Sequence, residues 1–487
     1  MTFKNKNFQK FWKFSTSFQL GIPIIIAIAV LIAWGTFVEA YYNDANMARR
    51  IVYDSWMMWT TMGLLIYNLL AVVIDRLPWK INHYPFVTVH FGIIILVFGG
   101  WVTGKYGVDG TLAIPIGGQS KQVITSPTDF MIFATYDGDR YTKIYEREVD
   151  FYELHPSDEK PFVARLEDNP LTKGASHEMK IVKYHPFARV SKKVLPVADT
   201  DPSQAGGQLG SSIKFQLSNA NVKQIEVLTQ DKASRAVQVN LGPLALYLGH
   251  DYTKLGRKNI NQNEVYFKAL DKEHVEYSLF RANVEKPIEK KSMTIGAVVQ
   301  TPWMGLQIQL IDYLMHAREE WDVKPSERAT PLTTSVVLVE YKGLKQWLLL
   351  NDTIKIFGES VAFIVSYRNR ALDLGFPIRL VDFKVSRYQG TGKAMEYAST
   401  VMVGNRDKEP KYEKGQIVIS MNEPMKEAGY TFYQSSFNED ENTGEPTASI
   451  LSVNKDPGRW IKYLGSLVIS VGIIWLFYQR RKRRIAL

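Results

Sequence analysis

The chain has 487 residues, a formal net charge of +10 and no cysteine. The missing thiols exclude disulfides, Cys-ligated metal and covalent cofactor attachment through the chain's own sulfur. The mean hydropathy of −0.15 is that of a soluble protein, but it averages long apolar runs with a large polar segment, and much of the basic excess lies beside those runs. Charge so placed points to a membrane surface, and no nucleic-acid partner is expected.

Three apolar runs occupy Phe18–Val38, Trp56–Ile74 and Tyr84–Thr103, and a fourth occupies Trp460–Tyr478. Each is close to the ~20 residues that cross a bilayer as a helix. Pro23 falls near the start of the first, where a proline is tolerated, and Gly35 and Thr36 near its end. Trp56, Trp59, Trp101 and Trp460 mark span ends at which interfacial aromatics are expected. Lys4, Lys6, Lys10 and Lys13 precede the first run, Arg76 and Lys80 separate the second from the third, and Arg480–Arg484 follows the fourth. By the positive-inside rule both termini are cytoplasmic and the long segment between the third and fourth runs is outside. The connection Glu39–Asp54 is mixed in charge and says little. The first run has no clear small-residue cleavage site and reads as a retained anchor. Gly92 and Gly99, about two turns apart, make with Gly100 a small face that another helix can approach closely.

The expected fold is therefore a membrane protein with four transmembrane α-helices and a large extracytoplasmic, mainly-β domain between the third and fourth. Its divisions are a three-helix region at 1–104, the β-rich region at 105–459, and the fourth helix with a basic tail at 460–487. The middle region is long enough for one large domain, two subdomains or several stacked β-units. Ser211–Leu217, Ser335–Glu340 and Ile417–Ser420 alternate as strands do, and Val361–Val365 is a short apolar run of strand type. Leu195–Gly210 reads as a loop or subdomain boundary, Asn438–Glu445 as an acidic turn, and Arg318–Asp322 (REEWD) as a solvated charged loop.

A weak internal repeat runs through this region. Met179–Tyr184, Leu306–Tyr313 and Ile378–Phe383 share alternating apolar positions that end in an aromatic residue. Each is followed by a strand led by Ser or Thr (SSIKFQL, TSVVLVE and STVMVG), then by a strand ending at Asn240, Asn351 or Asn422. Such a pattern arises from stacked β-units of one design or from convergent strand chemistry.

His90 is the one strongly polar ionisable side chain inside the third run. An imidazole at that depth needs a hydrogen bond, an ion partner or a metal. It is either a ligand, haem iron included, or polar glue across a helix interface. His83, seven residues earlier, would share a helix face with it, about 10 Å away by helical rise, too far for both to bind one iron. The other histidines, His155, His177, His185, His250, His274 and His316, have no metal-site spacing and read as surface or turn residues. No phosphate loop, nucleophile elbow or paired general acid and base is evident.

Met421–Phe437 (MNEPMKEAGYTFYQSSF) and Ser452–Gly465 (SVNKDPGRWIKYLG) closely resemble the ResB (CcsB) family of System II cytochrome c biogenesis proteins. Gly35–Glu39 (GTFVE), Asn68–Pro78 (NLLAVVIDRLP) and Gly104–Gly117 (GKYGVDGTLAIPIG) resemble its span exits and its entry into the outer domain. The resemblance covers both ends of the chain and leaves Tyr145–Gln300 unmatched. It implies a multi-pass protein of the cell inner (plasma) membrane that helps move haem b across and present it to apocytochrome c. The implied partner is a ResC (CcsA)-like membrane protein with a tryptophan-rich WWD haem site. It further implies that His90 is a metal ligand of transient haem, with the second ligand from the partner, and that His83 lies near the cytoplasmic entry. No WWD-like segment is present, so the chain would be at most a non-catalytic subunit of a haem lyase (cytochrome c synthase). Two other readings stand beside this one. One is a structural scaffold or chaperone that binds no haem. The other is a b-type electron-transfer subunit, weakened by the single deep histidine.

Overall fold

The computed structural model describes residues 6–135, 140–166, 177–197, 209–219, 223–230, 232–242, 244–303, 305–358, 361–390, 393–405, 412, 415–440 and 444–485. Lys4, the middle of the Leu195–Gly210 boundary and residues 441–443 of the acidic turn lie outside them. Among the described residues, four helices are long and apolar enough to cross a membrane: Phe18–Tyr42, Trp56–Asp75, a segment at Ile81–Tyr106, and Arg459–Arg481. Local chemistry sets their ends. The Ser17 hydroxyl caps the first by accepting from the Gln19 amide, and Asn43 ends it in the left-handed region at φ 54°. Ser55 caps the second through the Met58 amide at 3.3 Å, and Pro85 opens the third, where its missing N–H has no cost.

An amphipathic helix, Lys6–Ser15, precedes the first span; sequence reading saw only its lysines. It is tied to the far end of the second span. Asn68 donates to the Ser15 carbonyl at 2.8 Å, and Trp12 donates to Asp75 at 2.7 Å.

The chain divides into two compact units, one of residues 1–187 and 326–487, the other of residues 188–325. The division falls inside the strand Glu178–Pro196, ahead of the expected boundary at Leu195–Gly210. In the first unit, strand Gln119–Thr135 pairs along its length with the part of Ala362–Arg387 that ends at Arg379, with bulges at Asn369/Ala371 and Asp373/Ile378. The two strands serve two cores. One is built on Phe130, Ile132, Phe363 and Val365, the other on Leu112, Ile378, Val401, Phe432 and Val453. The second core is wrapped by a curled sheet. Its strands Ala394–Val403 and Tyr430–Glu439 are joined across the seam by buried Ser399, which donates to Gln434 at 2.6 Å.

The second unit holds its own core, including Phe215, Leu246, Phe267, Leu279 and Leu310. One of its strands corrects an expectation: REEWD is no loop, because Ala317–Pro325 pairs along its length with Ala188–Pro196. Lys192 and Glu319 form an ion pair at 2.7 Å, and the Lys192 ammonium lies 5.8 Å from the Trp321 ring. A strand this charged lacks a continuous apolar face, so alternation did not reveal it.

The repeated segments all form strands, but they are paired out of chain order. LQIQLIDY pairs with SSIKFQL inside the second unit, while the strand containing MKIVKY neighbours Thr333–Tyr341 in one sheet. Only Ile378–Phe383 pairs with the strand that follows it, Ala394–Val403. Asn351 is a turn residue at φ 65°, whereas Asn240 lies within a strand opposite Ala245.

Candidate functional site

The third and fourth span helices run antiparallel at close range. A Cβ added at Gly92 would stand 2.8 Å from the Ile469 amide nitrogen, and one at Gly465 would stand 2.7 Å from the Leu96 nitrogen. Gly99 meets Lys462, Gly472 meets Val89, and Gly458 meets the Gly99 carbonyl. Small residues on both helices thus bring the backbones together. Gly100, expected on the same face, points into open space.

This helix pair continues directly into a strand pair. The third helix leads through Gly107 into Val108–Pro115, the fourth is fed by Pro446–Lys455, and these strands are antiparallel partners from Val108–Lys455 to Pro115–Ala448. Asp456 secures the junction: it accepts from Thr103 at 2.6 Å and from Lys462 at 2.8 Å. Burial alone would raise the Asp456 carboxyl. Hydrogen bonds from Lys462 and Thr103 and the charges of Lys462 and Arg459 outweigh it and hold the group below the ordinary carboxylate value. A lowered folded-state value stabilises the fold above the unfolded value near ~3.9 and loses that contribution as pH falls through the folded value. Asp456→Asn is expected to lower the melting temperature in detergent at neutral pH, by about 1–2 kcal/mol of stability, and to narrow the gap from wild type once both are acidified.

His90 sits on the flank of the third helix turned away from these glycines and is half-buried. Its Nδ1 lies 2.9 Å from the Phe86 carbonyl oxygen, one turn back. A carbonyl only accepts, so Nδ1 carries the proton, and Nε2 presents its lone pair whenever the ring is neutral. The Phe86 and His90 ring centroids are 3.8 Å apart, and the Arg76 guanidinium carbon lies 3.3 Å from the Phe86 centroid. The donor set suits one axial position of a haem iron: a tautomer fixed by a backbone carbonyl, with the other nitrogen free to coordinate. His83 lies in a short 3-10 turn, Ile81–His83, that leads directly into the α-helix at Tyr84. Its Nδ1 is buried with no hydrogen-bond partner among the described residues.

Five of the remaining histidines have local roles. His155 donates to the Glu153 carbonyl, His177 meets the Tyr341 hydroxyl at 2.8 Å, His274 pairs with Asp271 in a turn, and His185 packs near Trp347. His250 is buried and is held by the Gly256 carbonyl at 2.9 Å; it also borders a cavity of about 480 Å³ with Gln230 and Lys268. A hollow of about 320 Å³ in the first unit is lined by Arg50, Thr128, Tyr184, Ser335 and Tyr367. The described residues hold no cluster of three or more His, Asp or Glu able to bind a bare metal ion.

Residues 356–449 match the family described as ResB-like. The chain carries a ResB-like segment. It takes in the strands of the curled sheet from Ala362–Arg387 to Tyr430–Glu439 and ends within Pro446–Lys455, which leads to the fourth helix. Protein NrfI of Wolinella succinogenes is 31% identical over 111 residues, which are 23% of this chain and 11% of that protein. The alignment thus spans about a tenth of the relative's length. The ResB-like segment includes Met421–Phe437, quoted above for the resemblance; Ser452–Gly465 lies just beyond it. Sequence reading missed Asp456, Thr103 and the Arg76–Phe86 stack, since each acts through a partner far away in the chain or in another helix.

Proposed function

We propose that this chain is a haem-handling membrane subunit of cytochrome c biogenesis. It would sit in the cell inner (plasma) membrane with both termini cytoplasmic and its β-rich units outside, as Lys6, Lys10, Lys13, Arg76, Lys80, Arg480 and Arg481 favour. One observation carries the haem reading: His90, inside an apolar helix, has Nδ1 committed to the Phe86 carbonyl and Nε2 left to coordinate. The ResB-like segment supports the biogenesis role.

Bound haem supplies an iron centre that His90 would hold on one face. The chain's own residues fix the imidazole and cover it on one side with Phe86, and a ResC (CcsA)-like partner with a WWD site would supply the second ligand. His83 stands near the cytoplasmic entry of the same helix. The helix pair that passes directly into the strand pair of Val108–Pro115 and Pro446–Lys455 ties this position mechanically to the sheet of the first unit, where apocytochrome c would be met. No acid–base pair is assigned, so the chain's part is coordination and presentation.

The test is the absorption spectrum of the chain purified from membranes, with and without its partner. His90→Ala is expected to lose most of the haem Soret absorbance, tenfold or more if one axial bond is worth at least ~1.4 kcal/mol, and to impair cytochrome c maturation. Full haem occupancy and normal maturation in His90→Ala would defeat the ligand assignment and favour a role in helix packing.

A further inference from the structure

Arg76 follows the second span helix directly and is half-buried. A topology-setting arginine gains most by extending into water or headgroups. Arg76 instead folds back onto Phe86, its guanidinium carbon 3.3 Å from the ring centroid, and the Phe86 ring packs tilted against His90 with centroids 3.8 Å apart. Among the described residues no carboxylate forms an ion pair with it. The carboxylate of its neighbour Asp75 accepts instead from the Trp12 indole at 2.7 Å. Contact with a ring face satisfies the charge but not the in-plane donors of the guanidinium, which form a fork matched to a carboxylate. Lys80, exposed four residues on, already marks the same side of the membrane with positive charge.

We propose that Arg76 is a carboxylate-binding residue for the porphyrin, holding a propionate at the macrocycle edge while His90 meets the iron. The inference rests on the haem reading of His90 and adds orientation to it. A planar ligand held at both centre and edge enters in one rotational setting, with its anionic edge toward the end of the helix that carries Arg76. Phe86 serves both ends of the column: its carbonyl fixes the imidazole and its ring seats the guanidinium.

The experiment titrates the full-length chain in detergent, with its co-purified partner, using haem and haem dimethyl ester, in which both propionates are blocked. Wild type is expected to bind the free acid about tenfold or more tighter than the ester, the scale of one charge-assisted hydrogen-bond pair. Arg76→Gln should bring that ratio close to one at an unchanged melting temperature. Arg76→Lys, which keeps the charge and loses the fork, should fall between. A wild-type ratio retained by Arg76→Gln overturns the proposal. His90→Ala separates the two readings, because it should lose the spectral signature of axial ligation while keeping the acid-over-ester preference. If His90→Ala leaves the spectrum intact but Arg76→Gln flattens the ratio, the iron assignment fails and the carboxylate site stands. If wild type binds neither compound, both fall.

Discussion

Arg257→Met is expected to destabilise the unit of residues 188–325 by about 3–5 kcal/mol, enough to unfold it or leave it protease-sensitive at growth temperature. Arg257 and Glu264 form an ion pair at 2.7 Å with side chains only 7% and 0% exposed. The guanidinium also donates to the carbonyls of Arg281, Val284 and Gln262, and the other Glu264 oxygen accepts from the Asn259 amide at 2.8 Å. One side chain therefore fastens the loop after Leu244–Leu248, which must cross to the parallel strand Asn263–Ala269, onto the turn after Val275–Phe280. Removing it strands a carboxylate out of water and frees four carbonyls, that of Asn259 included. Replacing both partners with apolar residues should cost less than either single change, because no lone charge remains. Limited proteolysis and chemical denaturation of the three variants would order them. Equal stability of Arg257→Met and wild type would show that the pair contributes nothing.

Gly92→Leu and Gly465→Leu are each expected to separate the third and fourth span helices, while Gly100→Leu is tolerated. The clashes at Gly92 and Gly465 are with backbone atoms, at 2.8 Å from Ile469 N, 3.0 Å from Gly465 O and 2.7 Å from Leu96 N. No rotamer change relieves them, so the cost should reach or exceed the ~1–3 kcal/mol typical of overpacking. Because both helices run into the paired strands Val108–Pro115 and Pro446–Lys455, the strain also reaches the curled sheet that they help to form. Melting in detergent should show Gly92→Leu and Gly465→Leu well below wild type and Gly100→Leu beside it. Three similar melting points would refute the packing.

The sequence by itself determined what depends on short stretches of chain. A bilayer imposes a length on a helix, so four apolar runs stood out from a polar background, and with them His90 as the lone polar ionisable group inside one. Small residues seven apart, Gly92 and Gly99, likewise announced a close helix contact. Strands with one buried face were legible from alternation, as in Ser212–Ser218 and Thr333–Tyr341.

The tertiary structure alone decided which elements meet. Strand pairing depends on register and on closing long loops, neither of which leaves a local trace, so the repeat appeared consecutive while the structure pairs its members across an inserted unit. Charged strands such as Ala317–Pro325 looked like loops because their stability comes from a partner strand rather than from their own apolar face. The candidate site divides in the same way. The presence of a deep imidazole was visible in one dimension. Its tautomer is set locally, by the Phe86 carbonyl one turn back on the same helix, whereas the Arg76 guanidinium over the Phe86 ring comes from the end of another helix and is there only through tertiary packing.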